Sequence, residues 1–95
     1  YQANWYGFIM SRDNIDLTYS HYWSRSRAKD VWRYEVAGDQ RVENWSEFFH
    51  GQFKDESNCE WIELYDQSKQ HYRGIRLING QIQHCFFINN QMLLN

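Results

Sequence analysis

Histidine and cysteine are the side chains of this sequence that could ligate a transition metal, so their spacing is the first test of that chemistry. Structural zinc sites pair His and Cys ligands at short, fixed separations. The four histidines show none of these ligand spacings; they are His21, His50, His71 and His84. The two cysteines, Cys59 and Cys85, are too few for an iron–sulfur cluster, which needs about four thiolates. We therefore predict no metal site in this chain.

Side chains suited to acid–base or nucleophilic catalysis are present without a recognisable pattern. The five glycines are scattered singly, so no glycine-rich loop can cradle a phosphate. No serine lies in the nucleophile-elbow pattern of the hydrolases. Glu63 and Asp66 are interpreted as solvated carboxylates rather than as a glycosidase-like pair. We predict no catalytic residue.

Charge and hydropathy exclude two classes of partner. Acids and bases are interspersed and the net charge is -2, whereas a nucleic-acid-binding domain usually shows a basic stripe. No apolar run approaches the roughly 20 residues that cross a bilayer. We therefore predict neither a nucleic-acid partner nor a membrane partner. Nothing in the sequence indicates secretion, so we expect a cytoplasmic protein with free thiols at Cys59 and Cys85.

The length predicts a single domain spanning residues 1–95. An aromatic content of 19% allows a modest core to be filled by few residues. The sequence begins at Tyr1 rather than at Met, and we interpret it as a fragment excised from a larger protein.

The first half of the chain is predicted to contain two strands and one helix. Asn4–Met10 is aromatic and β-prone, and Val31–Ala37 alternates between apolar and charged residues. Residues 15–29 have no clean period, so a short helical turn or a packed loop is expected there. Asn44 can cap a helix over about 45–53. Its apolar stripe consists of Trp45, Phe48, Phe49 and Phe53.

Residues 60–88 are predicted to form a three-stranded antiparallel meander. Asn79-Gly80 between two apolar runs is typical of a type I′ hairpin turn, and a four-residue loop precedes it at 67–70. In the resulting register one face is the predicted core, covered by the helix. That face consists of Ile62, Leu64, Ile75, Leu77, Ile82, Phe86 and Ile88. The predicted fold is α+β, a small antiparallel sheet of about 4–5 strands packed against one main helix. Residues 91–95 have the pattern of a further helix start or a frayed end.

The opposite face of the meander is the candidate interaction face. It combines planar rings with a guanidinium, a composition enriched at interface hot spots. It consists of Trp61, Tyr65, Tyr72, Arg76 and Phe87, with Gln83 and Cys85 beside them. Gly74 lies on the same face, where a strand glycine indicates a bulge or a close approach. Two alternatives stay open: an ordinary cation–π contact of Arg76 on Trp61, or a surface severed from a neighbouring domain.

Several stretches together resemble the C-terminal region of bacterial assimilatory nitrate reductases. They are Trp5-Tyr-Gly-Phe-Ile-Met-Ser-Arg12, Tyr22-Trp23, Trp32-Arg-Tyr-Glu-Val-Ala-Gly38, Tyr65-Asp66, Tyr72-Arg73, Leu77 to Gly80 and Cys85-Phe86-Phe87-Ile88. Val36 stands where leucine is common in that family. The last third alone is also similar to the C-terminal domain of FAD-dependent NAD(P)H nitrite and rubredoxin reductases, which is the alternative family.

The resemblance to nitrate reductases implies a parent enzyme that reduces nitrate to nitrite in the cytoplasm. Such a parent carries a molybdenum bis-pterin cofactor and an iron–sulfur cluster, and none of their ligands lies in this chain. The chain is therefore expected to be a non-catalytic C-terminal module without a cofactor of its own. Its expected role is packing against the rest of the parent chain, or docking a reductase or iron–sulfur electron donor. A small-ligand or protein binding module is the further alternative.

Overall fold

Six antiparallel strands and one α-helix make up the described part of the chain. The computed structural model describes residues 4–15, 17, 22–53 and 56–89. The strands are β1 (Trp5–Ser11), β2 (Tyr22–Ala28), β3 (Val31–Gly38), β4 (Cys59–Asp66), β5 (His71–Ile78) and β6 (Gln81–Asn89), and helix α1 (Trp45–Gln52) joins β3 to β4. The α+β arrangement with one main helix is confirmed, but the sheet has six strands rather than four or five. His21 and the predicted helix start at 91–95 lie outside the described residues.

The sheet joins two three-stranded halves at its centre. In one half β3 lies between β1 and β2, and the other half is the meander of β4, β5 and β6. The strand order is β2-β3-β1-β6-β5-β4, and every neighbouring pair is antiparallel. The junction is the β1–β6 pair, where Gly7 lies opposite Ile88 and Ile9 opposite Phe86. We call the face on which α1 packs the helix face, and the other face the outer face.

Local signals fix the ends of the helix and the turns of the meander. The Asn44 side chain accepts a hydrogen bond from the Glu47 backbone N–H at 2.9 Å, which confirms the predicted cap. Asn79 and Gly80 have φ of 54° and 76°, as a type I′ turn requires, so this prediction is also confirmed. Asp66 pairs with His71 across the four-residue loop, as the predicted register has it.

The core lies between α1 and the helix face and is largely aromatic. Phe49 of α1 is fully buried, and its ring stacks on Phe86 with centroids 4.3 Å apart and on Tyr72 at 5.7 Å. Trp45 meets Trp5 edge-on at 5.0 Å. Because each ring buries a large area, a helix of only eight residues can form this core with β1, β5 and β6.

The predicted core face is confirmed for Phe86 and Ile88 and wrong for the other five residues, because α1 covers the opposite face of β4 and β5 and because β6 contains an irregularity. Leu77 pairs with Ile82 as expected, but Arg76 then pairs with His84, so that Gln83 is an extra residue in β6. One inserted residue turns the following side chains to the other face. Phe86 and Ile88 therefore lie on the helix face. The other predicted core residues, Ile62, Leu64, Ile75, Leu77 and Ile82, lie on the outer face, where Ile62 and Leu64 are 60% and 64% exposed.

Strand β2 occupies a stretch for which a helical turn or loop was predicted. It pairs with β3 along seven residues and is joined to it by a two-residue turn in which Lys29 has φ of 50°. As an edge strand it needs no apolar side chains of its own. The guanidinium groups of Arg25 and Arg27 lie 4.5 and 4.8 Å from the centre of the Trp32 ring, a cation–π arrangement across the β2–β3 pair. This polar sequence therefore forms a strand only because β3 offers it a partner.

Candidate functional site

The five residues of the predicted interaction face do not form one surface. Trp61, Tyr72 and Arg76 lie under α1, and Tyr72 and Arg76 are only 2% and 3% exposed. Tyr65 is on the same side at the edge of the sheet, 45% exposed, and donates to Gln70 Oε1 at 3.0 Å. Phe87 lies on the outer face, because the extra residue in β6 reverses its direction. Assigning all five to one contact face was therefore an error of register.

Arg76 forms the expected pair with Trp61, but as a buried contact. The two residues are directly opposed in β5 and β4, and the guanidinium lies 5.9 Å from the Trp61 ring centre. Phe53 lies 5.4 Å away on the helix side. Enclosed between two rings, Arg76 contributes to packing beneath α1 and is not presented to a partner.

A polar network connects β1, β5 and β6, in which His84, Arg76 and Ser11 are buried and the carboxylates of Asp13 and Glu56 are exposed. His84 is 2% exposed, and its Nε2 lies 3.1 Å from Asp13 Oδ1. Its Nδ1 lies 3.4 Å from a terminal nitrogen of Arg76, whose other terminal nitrogen is 3.6 Å from Glu56. Ser11 donates to Asp13 Oδ1 at 2.7 Å. These contacts connect the end of β1 to strands β5 and β6.

The order of the hydrogen bonds in this network excludes a Ser–His–Asp triad among these residues. A guanidinium can only donate, so Nδ1 of His84 accepts from Arg76 and the ring proton lies on Nε2, facing Asp13. Ser11 donates to Asp13 rather than to His84, so the histidine cannot take the serine proton. The network therefore has a structural role, which is to connect neighbouring strands of the sheet.

Glu63 is the centre of a second polar cluster, between α1 and β4. Its carboxylate accepts from the Tyr72 hydroxyl at 2.6 Å and lies 3.2 Å from His50 Nε2. The His50 ring stacks on Trp61 at 3.9 Å. Partial burial alone raises the pKa of Glu63, but the hydrogen bonds from Tyr72 and Ser46 outweigh it, so the pKa lies below its ordinary value. Burial and this carboxylate raise the pKa of Tyr72, which therefore stays protonated as a donor.

Gly74 provides the close approach that its position in a strand predicted. A Cβ at this position would overlap the hydroxyl and ring of Tyr72, which reaches across Gly74 towards Glu63. Glycine is thus required here because the tyrosine ring occupies the space of its side chain.

The outer face carries four of the five large hydrophobic side chains that are exposed in the described part of the chain, the exception being Tyr65. Ile82 and Tyr6 are 46% and 53% exposed, in addition to Ile62 and Leu64. Between them lie half-buried residues: Phe8, Met10, Ile75, Cys85 and Phe87. A depression of about 430 Å³ runs over β1 and β6 in the middle of this face. This face is the candidate functional site, since α1 packs on the opposite side of the sheet.

No protein-family model matches the sequence, and neither a curated protein nor a solved structure is significantly similar to it.

No helix among the described residues is long and apolar enough to span a membrane. Within the same residues, no group of three His, Cys, Asp or Glu side chains is placed to hold a metal ion. The two cysteines are free thiols, and burial raises the pKa of Cys85.

Sequence reasoning missed both polar clusters and the composition of the outer face. Asp13 and His84 are 71 residues apart, and no local pattern links them. The single useful signal was the polar pair Gln83-His84 inside an apolar run, which is where the extra residue of β6 lies.

The buried histidine predicts a dependence of stability on pH. Burial lowers the pKa of His84 below its ordinary value of 6.5, with Asp13 acting in the opposite direction. Below that value the unfolded chain binds a proton that the folded chain resists. The free energy of unfolding is therefore expected to decrease as the pH falls from about 7 towards 5. The pKa of Asp13 is itself lowered, so its carboxylate stays charged over this range.

Urea unfolding at several pH values measures this effect. His84→Gln should remove most of the decrease, while His71→Gln, on the outer face, should leave it intact. Asp13→Asn should steepen the decrease, because it removes a charge that favours the protonated ring. An unfolding midpoint that stays constant from pH 7 to pH 5 in the unsubstituted chain would contradict the assignment.

Proposed function

We propose that this chain is a non-catalytic docking module of a cytoplasmic, molybdenum-dependent nitrate reductase. Its outer face would contact either the rest of the parent chain or the protein that donates electrons to it. The parent would hold the molybdenum bis-pterin cofactor and the iron–sulfur cluster, and this chain would hold neither. The proposal combines the sequence resemblance with one structural observation, the apolar outer face.

The exposed aliphatic residues of the outer face carry the proposal. Ile62 and Leu64 follow each other along β4 on this face, and Ile82 lies on β6. Soluble domains rarely expose a contiguous apolar patch unless it binds a partner. An apolar sheet face is normally covered by a further layer. A surface of this kind supports docking rather than catalysis.

The positions of the resembling residues support a structural role for the shared motif. Trp5 packs its ring onto Gly38, its partner in β3, and donates to the Gln40 carbonyl at 3.1 Å. Gly7 permits close contact between β1 and β6. These residues build the core and the central strand pair, so their resemblance to nitrate reductases concerns a fold element without catalytic groups.

Two lysines on the outer face are expected to impair the parent enzyme. In the longer nitrate reductase that would contain this chain, Ile62→Lys with Leu64→Lys should lower nitrate turnover with the physiological donor about tenfold, or ~1.4 kcal/mol. The reason is that a docked partner would have to bury two charges. Turnover with a small reductant such as reduced viologen, which needs no docking, serves as the comparison.

A control with the same added charge is Gln52→Lys with Ser57→Lys, at exposed positions in α1 and the turn before β4. It should retain full turnover. A loss confined to the physiological donor supports donor docking, and a loss with both reductants in a folded enzyme supports packing within the parent. Full activity of the Ile62/Leu64 variant with both reductants would refute the proposed function.

A further inference from the structure

The depression on the outer face has an apolar floor two strands wide. Phe8 of β1 and Phe87 of β6 lie side by side on it, and Met10 and Cys85 are the next pair on this face, just beyond its lining. The rings of Phe8 and Phe87 stack with centroids 4.8 Å apart and an interplanar angle of 27°. All four side chains are half-buried, so part of each is available to a partner. We call this depression the central groove.

Charged side chains border the central groove on both sides. Arg33 and Glu35 of β3 stand along one side, and His71 and Arg73 of β5 along the other. The Arg33 guanidinium lies 4.6 Å from the centre of the Phe8 ring. From β3 to β5 there are three strand spacings, or about 14 Å. An α-helix with its side chains is about 10–12 Å across and fits that width.

The bordering charges are not satisfied within the described part of the chain. There the side chains of Arg33, Glu35, His71 and Arg73 make no hydrogen bond or ion pair. Two arginines and one carboxylate border the groove, so cationic groups outnumber anionic ones there. A guanidinium binds a carboxylate through two parallel hydrogen bonds, so the favoured partner group on both sides is Asp or Glu.

We propose that the central groove binds an amphipathic helix with acidic flanks. Its apolar stripe, spaced at i, i+3, i+4 and i+7, would lie on Phe8 and Phe87. Asp or Glu beside that stripe would pair with Arg33 on one side and Arg73 on the other. This rests on the proposed docking function and names the partner surface. A helix is favoured over a strand because an added strand pairs with a sheet edge, whereas the groove lies over the two central strands.

Two synthetic helical peptides with the same leucine stripe test the proposal. One carries glutamates and the other lysines beside the stripe, and each is titrated into the ¹⁵N-labelled 95-residue chain. The glutamate peptide is expected to cause saturable shifts of the β1 and β6 amide signals. The lysine peptide is expected to bind at least about tenfold more weakly, a difference of 1.4 kcal/mol.

Charge reversal in the groove should exchange the two preferences. Arg33→Glu with Arg73→Glu is expected to weaken the glutamate peptide about tenfold and to strengthen the lysine peptide. The matched control is Lys29→Glu with Arg41→Glu, which makes the same charge change at exposed positions outside the groove. This control variant should still bind the glutamate peptide more tightly than the lysine peptide.

Three results would overturn the helix groove. They are the absence of saturable shifts with either peptide, shifts that map to α1 instead of β1 and β6, and equal affinity for the two peptides. The Ile62/Leu64 turnover assay is independent of all three. A loss of turnover in that assay, together with any of these results, would support the proposed docking function and show that the partner is not an acidic amphipathic helix in the central groove.

Discussion

Phe86→Ala is expected to lower the free energy of unfolding by about 3–5 kcal/mol, whereas Phe87→Ala should cost only about 1–2 kcal/mol. The two residues are adjacent in β6 and chemically identical, but they face opposite sides of the sheet. Phe86 is fully buried, with ring centroids of Phe49 and Trp61 at 4.3 and 5.7 Å. Phe87 is half-buried, and among the described residues its ring stacks on Phe8 alone, at 4.8 Å. Truncating Phe86 leaves a cavity under α1, while truncating Phe87 widens a surface that water already reaches.

Urea or thermal unfolding of the two variants tests which of the two rings lies in the core. For a domain of this size 1 kcal/mol corresponds to roughly 4–8 °C in Tm, so the two variants should be clearly separated. The near-ultraviolet circular dichroism of Phe86→Ala should also weaken, because its neighbours in the aromatic cluster lose packing. A larger loss for Phe87→Ala than for Phe86→Ala would mean that the faces of β6 are assigned the wrong way round.

The contrast between Phe86 and Phe87 raises the question of which parts of this fold sequence patterns can predict. The strands that begin near Trp5, Val31 and Cys59 have strong local signals, and so does the turn at Asn79-Gly80. Such signals need only the nearest residues along the chain, which is why they were predictable. Strand β2 was not, since Ser24 to Arg27 have no apolar alternation and acquire their order from pairing with β3.

The orientation of the meander was unpredictable for a different reason. Both of its faces carry large apolar residues, aliphatic on one side and aromatic on the other, so hydropathy alone does not decide which is buried. Choosing the aliphatic face placed Ile75 in the core and Tyr72 outside it. The helix α1 offers aromatic rings, and ring stacking against Tyr72 and Phe86 favours the other orientation. The extra residue at Gln83 then places Phe86 and Ile88 on the same face as Tyr72.

The candidate site depended on that orientation, so it could not be read from the sequence. Arg33 and Arg73 face the same groove only because β3 and β5 lie on either side of the β1–β6 pair. This arrangement brings residues 40 positions apart, in the two halves of the sheet, to one groove, and it has no local signature. The expectation that function would lie on the face turned away from the helix is kept in our proposal, with a different set of residues. Of the five predicted contact residues only Phe87 belongs to it.

Gly7→Ala is expected to lower the free energy of unfolding by about 3 kcal/mol, or roughly 12–24 °C in Tm. A Cβ at this position would overlap the carbonyl oxygen of Phe87 and crowd the Cα of Ile88. Both obstacles are backbone atoms, which cannot rotate away as a side chain would. β1 and β6 would have to separate at Gly7 and Ile88, within the strand pair that joins the two halves of the sheet. A single methyl group would thus weaken the junction that holds the whole sheet together.

Gly51→Ala is the matched substitution with the opposite expected sign. Gly51 is exposed near the end of α1, and nothing lies within 4 Å of a Cβ placed there. Alanine restricts the unfolded chain and favours the helix, so this variant should gain about 0.5–1 kcal/mol. The same chemical change therefore separates steric exclusion from general intolerance to substitution, with thermal unfolding as the measurement. If Gly7→Ala were as stable as Gly51→Ala, the close approach of β1 to β6 would be refuted. The resembling Trp-Tyr-Gly-Phe motif would then need another physical explanation.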